Sequence, residues 1–260
     1  MNKLLISVVV ITKNEEDNIE DCLASVAGWA DELIVVDDES ADRTVELARK
    51  FTDRIFHRKM ENEGRHRNWA YAQAKNDWVL SLDADERVTP ELQREINEAI
   101  PTAGCAAFAI PLRNYIGTYW VRYAGWYPAS KIRLFQKNLF RYEEAEVHPC
   151  AIVDGKTGSL TKDIIHKGYP DFEHFLASLN RQSTWEAKKW IRTGLNMTRG
   201  RIMRRSVDRF FRSYIGKRGM KDGLVGFMVA LFAGLYQVVS YAKYWEMKRQ
   251  ATGQDVDHSK

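Results

Sequence analysis

The 260-residue chain is poor in cysteine: Cys22, Cys105 and Cys150 are far apart and odd in number. This excludes a disulfide framework and the paired spacing of a zinc site, and it suits a reducing compartment. The N-terminus also lacks the marks of a cleavable leader. Its apolar run, 4–11, is short, contains Ser7 and has no small-residue cleavage site behind it, so a buried first strand is expected there. No internal repeat and no low-complexity linker interrupts the chain. Charged residues make up 28 %, which excludes a polytopic membrane protein, while 45 % hydrophobic residues suffice for a sizeable core. The net charge is only +4, so any charge-driven behaviour must come from its uneven distribution.

What is present is an alternation of patterns. The β-branched run 6–11 reads as a strand buried on both faces. Ile19, Leu23 and Val26 predict a helix over 15–26, opened by Glu15, Glu16 and Asp17, where acids complement the helix dipole. An apolar run at 33–36 predicts a second strand, and Ser40 or Asp42 can cap a helix over 44–51. A weak third strand is expected at 54–57, a helix at 65–75 and a fourth strand at 78–82. Thr89 and Pro90 suit the cap and first turn of a helix over 90–100. This order predicts an α/β fold with a mostly parallel, Rossmann-like sheet, whose ligands bind beyond the carboxyl ends of the strands. From 105 to about 166, strand-like pieces at 106–112, 131–135, 151–153 and 164–166 alternate with aromatic loops, and a smaller mixed sheet is expected. A helical appendix follows from 171, so the expected division is 1–170, with halves 1–104 and 105–170, and then 171–260.

Acids stand where three of these strands end: Glu15-Glu16 after the first, Asp37-Asp38 after the second, and Asp83-Ala84-Asp85-Glu86 after the fourth. Strand ends of a parallel sheet share one rim, so these carboxylates should converge. Crowded carboxylates repel unless a cation lies among them, and Mg²⁺ typically takes one or two carboxylates together with substrate phosphates. Residues i and i+2 leaving a strand point the same way, so Asp83 and Asp85 can reach one ligand. Taken singly, the triplet is as readily a solvated loop, and Asp37-Asp38 as readily a helix cap. The ordered set VVVITKNEE, VVDDESADRT and GRHRNWAYAQAKNDWVLSLDADE is far more specific.

These segments resemble the inverting family 2 glycosyltransferases of GT-A fold, whose pattern is T-x-N-E, D-D-x-S-x-D-x-T, an R-N helix and D-A-D. The later chain resembles the small bacterial glycosyltransferases of lipopolysaccharide core assembly, in Val147-His148, His166-Lys167-Gly168-Tyr169, and the segments 211–215, 222–227 and 241–245. The resemblance implies a nucleotide-sugar donor, with UDP-glucose or a similar UDP-sugar suggested by that branch. It implies that 1–104 binds this donor and that 105–170 faces the acceptor. Thr12, Lys13 and Glu15 would line base and ribose, although Lys13 stands where many members carry an aromatic residue. Asp38 would accept the N–H of a pyrimidine, supported by Asp37. Arg67 would face the donor, Asp83 and Ala84 would lie along it, and Asp83 and Asp85 would bind Mg²⁺ or Mn²⁺, with Asp85 the direct ligand. Displacement with inversion needs a general base. Glu146 and His148 are the candidates, because Pro149 stands where the branch carries a glutamate. His166 is expected to be structural.

Between 199 and 221 lie nine Lys or Arg residues against one acid, Asp208, and 223–242 then carries no charge. Basic residues beside an apolar, aromatic helix predict peripheral docking on an anionic membrane surface, at the cytoplasmic face of the plasma membrane. A saccharide or lipid-linked acceptor fits that placement. A sugar-1-phosphate nucleotidyltransferase would need a G-x-G-T-R loop after the first strand, where this chain has ITKNEE. A non-catalytic basic protein binding membrane or nucleic acid through 199–221 would leave the strand-end acids unexplained. No nucleic-acid partner is expected.

Overall fold

The structure, a computed structural model, describes residues 5–102, 104–145 and 149–251. In chain order the elements begin with β1 (Ile6–Thr12), α1 (Ile19–Ala24), β2 (Glu32–Asp37), α2 (Thr44–Ala48), β3 (Ile55–His57) and α3 (Glu63–Ala72). They continue with β4 (Trp78–Asp83), β5 (Glu86–Val88), α4 (Pro90–Thr102), β6 (Ala107–Ile110), β7 (Leu112–Ile116) and β8 (Tyr119–Trp120). Then come β9 (Lys131–Gln136), β10 (Phe140–Tyr142), β11 (Ala151–Val153), β12 (Thr157–Ser159) and β13 (Ile164–Tyr169). The chain ends in α5 (Phe172–Arg192), α6 (Arg199–Phe211) and α7 (Gly223–Ala251). The chain divides into two compact units, Met1–Arg113 with Pro128–Gly168, and Asn114–Tyr127 with Tyr169–Lys260.

The first unit is built on a seven-stranded sheet of order β12-β6-β9-β4-β1-β2-β3. Val8, Val9 and Val10 are fully buried, as expected of a strand covered on both faces, and β1 pairs in parallel with β2 on one side and β4 on the other. Alternate residues feed opposite layers. Val8 and Val10 pack with Leu23, Leu47, Leu92 and Ile96, while Val9 packs with Ala70, Tyr71 and Phe135. Thr89 caps α4 as its sequence predicts, its hydroxyl accepting from Leu92 N. Asn62 does the same for α3.

Three expectations are corrected here. Part of the segment from 105 onward joins the main sheet instead of the smaller one expected: β9 runs antiparallel between β4 and β6, and β12 joins β6 in parallel, while β13 pairs antiparallel with β5 in a separate, smaller sheet. The apolar flank of β4 would otherwise remain an open edge, and β9 covers it. The strand expected at 106–112 is broken by Pro111, which has no N–H for a ladder, into β6 and β7. The first helix is also shorter than its acidic start implied. Residues Glu15 to Asn18 form a turn, with Asn18 N and Ile19 N both donating to Glu15 O.

The second unit holds α5, α6, α7 and the hairpin of β8 with the end of β7, paired Tyr115 to Trp120 and Ile116 to Tyr119. Ile116, Val121, Phe175 and Val229 form one of its cores, and Trp190, Met197, Ile202 and Tyr244 another. Asp171 and Thr198 cap α5 and α6 through their side chains.

Candidate active site

The strand-end acids share one rim. Thr12 on β1 is opposite Asp37 on β2, and Ile11 is opposite Asp83 on β4, so the ends of the three central strands are level. Neighbouring strands lie about 4.8 Å apart, which places these acids within the width of a diphosphate nucleoside.

The loops after β1 and β2 are stitched together by the motif residues themselves. Asn14, in the left-handed region at φ 52°, donates its N–H to Ser40 Oγ at 2.8 Å and accepts from Ala41 N at 2.8 Å. Glu15 N donates to Thr44 Oγ1 at 2.7 Å, and Glu16 N to Asp42 Oδ2 at 3.1 Å. Asp42 Oδ1 accepts from Thr44 N, so of the two cap candidates Asp42 serves α2 and Ser40 serves the β1 loop. This latch leaves Thr12, Asp37 and Asp38 buried beneath it. Asp37 accepts from Ser40 N and meets His57 Nδ1 at 3.1 Å. Asp38 accepts from Met60 N at 2.8 Å and from the Lys13 ammonium at 3.0 Å. The Thr12 hydroxyl is buried with no hydrogen-bond partner among the described residues, and so are both ring nitrogens of His66 on α3. Burial pushes the His66 imidazole below its ordinary value, which favours the neutral ring.

At the end of β4 the acids are held by cations. Asp83 accepts from Arg67 Nη2 at 3.1 Å and from Arg133 Nη2 at 2.6 Å. Arg133 also pairs with the fully buried Glu86, whose Oε2 accepts from Asp83 N at 3.0 Å. Burial alone would raise the Asp83 carboxyl, yet the guanidiniums of Arg133 and Arg67 hold it far below the usual carboxylate range. Burial dominates at Glu86 and raises it. Asp85 lies outside this cluster, with Oδ2 3.1 Å from His166 Nε2, and its backbone oxygen accepts from Lys167 N. Glu15 is raised chiefly by burial, with the negative charge of Asp85 adding to it, so the β1 loop and the triplet feel one another. A cavity of about 470 Å³ near Asp31, Leu33, Thr52 and Lys75 lies at the amino ends of the strands, away from these groups.

The structure thus brings together Thr12, Lys13, Glu15, Asp37, Asp38, Arg67, Asp83, Ala84 and Asp85. Glu146 and His148 lie outside the described residues. Of the described residues before them, Ala145 O accepts from Gly64 N at 3.2 Å and Glu144 pairs with Arg65 at 3.2 Å, both at the start of α3. Sequence reasoning missed Arg133, named Glu86 only as one of the strand-end acids, and gave His166 no role at the site. The signal for Arg133 was a lone charge inside the apolar strand KIRLFQ.

The family model for glycosyl transferase family 2 matches residues 7–155, more than half of the chain. The chain belongs to glycosyltransferase family 2. Over 270 residues it is 28 % identical to a glycosyltransferase of Rickettsia bellii, covering 96 % of this chain and 90 % of that one. It is 23 % identical to the lipopolysaccharide core biosynthesis glycosyltransferase LpsC of Rhizobium meliloti, covering 98 % and 97 %. The crystal structure of S. aureus TarS 1-349 aligns over 99 % of this chain and 95 % of that one, with a TM-score of 0.48 and 15 % identity. The glycosyltransferase has the GT-A fold, its acidic rim at the carboxyl ends of β1, β2 and β4 and its helical region at the C-terminus.

Among the described residues of this glycosyltransferase, no three His, Cys, Asp or Glu side chains form a ready-made metal cage. A hard divalent ion needs few protein ligands when a diphosphate supplies the rest, and Asp85 with the facing His166 nitrogen gives two donors 3.1 Å apart. Both oxygens of Asp83, the other expected ligand, are turned to arginines.

Proposed function

We propose that this enzyme moves a sugar, with inversion, from a nucleoside-diphosphate donor, UDP-glucose or a similar UDP-sugar, to a saccharide or lipid-linked acceptor of lipopolysaccharide core or other envelope glycan. It does so at the cytoplasmic face of an anionic membrane. The observation that carries the reading is the level register of Thr12, Asp37 and Asp83 on one rim, with family membership behind it. The relative LpsC, named for lipopolysaccharide core biosynthesis, supports the acceptor class.

In this reading the buried Thr12 hydroxyl and the Asp38 carboxylate meet the base and ribose. The Lys13 side chain, half in solvent, exchanges Asp38 for the nucleotide. Asp83, fixed by Arg67 and Arg133, orients the ribose side of the donor. Asp85, with His166, would hold Mg²⁺ or Mn²⁺, which when bound neutralises the diphosphate leaving group. Arg67 adds fixed positive charge near the same phosphates at no reorganisation cost. Glu146 or His148 takes the proton of the acceptor hydroxyl as it attacks the anomeric carbon from the opposite side.

The test is calorimetric titration of UDP and GDP with and without Mn²⁺, followed by a screen of nucleotide sugars for turnover. Metal-dependent UDP binding that drops at least about tenfold in Asp85→Ala is expected. Absence of heat for any nucleoside diphosphate would overturn the reading. Glu146→Gln and His148→Ala are run beside wild type, and full transfer by both would remove the base assignment.

A further inference from the structure

The second unit carries an exposed apolar surface that its own packing does not use. On α6, Met203, Val207 and Phe211 are each more than half exposed, and Ile215, one turn beyond the helix, continues the row. A spacing of four places them along one stripe. The side of α6 that meets α7 is different: Ser206 Oγ donates to Gly234 O at 2.9 Å, and Phe210 packs on Phe227 at 6.0 Å. Phe227 also meets Tyr214 at 5.8 Å and is itself exposed. Phe227 belongs to an outward row of α7 that includes Leu224, Leu235, Val238 and Trp245, and its partner Phe210 meets Phe211 of the α6 stripe at 5.3 Å. Arg201, Arg204 and Arg209 of α6, and Arg212 just past its end, are all exposed, and of these four only Arg212 is ion-paired among the described residues, to Asp208.

We infer that α6 and α7 form an in-plane docking face for an anionic lipid bilayer, with the α6 stripe entering the headgroup boundary and its arginines contacting lipid phosphates. Charge selects this occupant. A second copy meeting the same face across a two-fold axis would bring these arginines against their own equivalents. An amphipathic helix with arginines beside an apolar stripe is the arrangement that lies in a membrane interface.

The same contacts argue against α7 crossing the bilayer, although it is long and apolar enough to do so. Its inner side is committed to polar partners. Gln237 accepts from Arg205 at 3.0 Å, and the Lys243 ammonium donates to Ser183 at 2.9 Å and Thr184 at 2.8 Å. A span would carry these charges and α6 into hydrocarbon, where charged side chains are costly. The inference rests on the glycosyltransferase reading only for its purpose, which is to bring the site to a lipid-borne acceptor.

The experiment is flotation of the full chain with vesicles of phosphatidylcholine alone or mixed with phosphatidylglycerol, beside UDP·Mn²⁺ binding as an independent readout. Wild type is expected to partition to anionic vesicles on the order of tenfold or more above neutral ones, and to be released by salt. Val207→Glu with Phe211→Glu should weaken that partition by about tenfold or more, and Arg204→Gln with Arg209→Gln should weaken it and flatten its salt dependence. Both pairs are solvent-facing and should leave UDP binding and thermal unfolding unchanged. Equal binding to neutral and anionic vesicles, or indifference to Val207→Glu with Phe211→Glu, overturns the proposal. So does retention after an alkaline carbonate wash, which marks a span, or a dimer that the same pair dissociates without any vesicle binding. Loss of vesicle binding with UDP binding intact removes the docking face and leaves the enzyme reading standing; the reverse result removes the enzyme reading alone.

Discussion

Asp83 and Glu86 reach the rim from one tight turn, and both turn to the same buried guanidinium, that of Arg133. Removing one partner from a buried ion cluster leaves an uncompensated charge, which costs roughly 3–5 kcal/mol. Arg133→Met is therefore expected to destabilise the protein by about that amount in urea unfolding at neutral pH. The pH dependence follows from Asp83. Its folded carboxyl is held below the unfolded value, so its contribution is complete above the ordinary carboxylate range and is lost as pH falls through the folded value. Without Arg133 that carboxyl rises, so the gap between wild type and Arg133→Met should be widest near pH 7 and shrink below about pH 4. A gap that stays constant over this range would show that Arg133 acts through packing alone. The acids of this cluster were legible in the sequence because each ends an apolar run. Arg133 and His166 were not, since they enter from strands 50 and 81 residues away and only strand pairing brings them in.

The segment Asp222-Gly223-Leu224-Val225-Gly226-Phe227 shows how a motif resolves into element geometry. Asp222 is buried and accepts from Tyr123 N at 2.8 Å and from the Tyr119 hydroxyl at 3.4 Å, tying the 114–127 segment to the start of α7. Gly223 has φ 58°, and at Gly226 a Cβ would overlap the Gly219 carbonyl. Gly226→Ala must therefore push two helical turns apart and is expected to destabilise by roughly 1–3 kcal/mol, as overpacking does. Gly200, in the first turn of α6, has nothing within 4 Å of an added Cβ, and there Ala should stabilise by up to about 1 kcal/mol through helix propensity. Chemical denaturation of both variants checks the contrast, and equal effects would refute it. Asp222→Ala should cost about 1–3 kcal/mol and speed hydrogen exchange at the Tyr123 amide. The strands of the central sheet and the capped helices α3 and α4 could be read from the chain, because their signals are local. The loyalty of 114–127 could not, since it depends on an acid 99 residues away, and neither could the exposed three-residue strand β12.

At the scale of the whole chain, the two compact units carry different chemistry, and ligand linkage separates them. The residues proposed to hold the donor on the rim lie in the unit built on the seven-stranded sheet. A ligand that binds only the folded state at about 100 times its dissociation constant adds roughly 2.7 kcal/mol. In a domain of this size each kcal/mol raises the midpoint by about 2–4 °C, so saturating UDP with Mn²⁺ should raise the melting temperature by about 5–10 °C. Asp85→Ala should abolish most of that shift while leaving the unliganded midpoint nearly unchanged, because among the described residues the Asp85 side chain pairs with His166 at the edge of the acid cluster. Arg133→Met should lower both the unliganded midpoint and the shift. Gly226→Ala, placed in the other unit, should lower the unliganded midpoint but keep the ligand-induced shift, since it touches no group of the rim. Scanning calorimetry of the three variants with and without UDP and Mn²⁺ distinguishes these patterns. A shift that survives Asp85→Ala, or one that disappears in Gly226→Ala, would mean that the nucleotide is held somewhere other than the carboxyl ends of β1, β2 and β4.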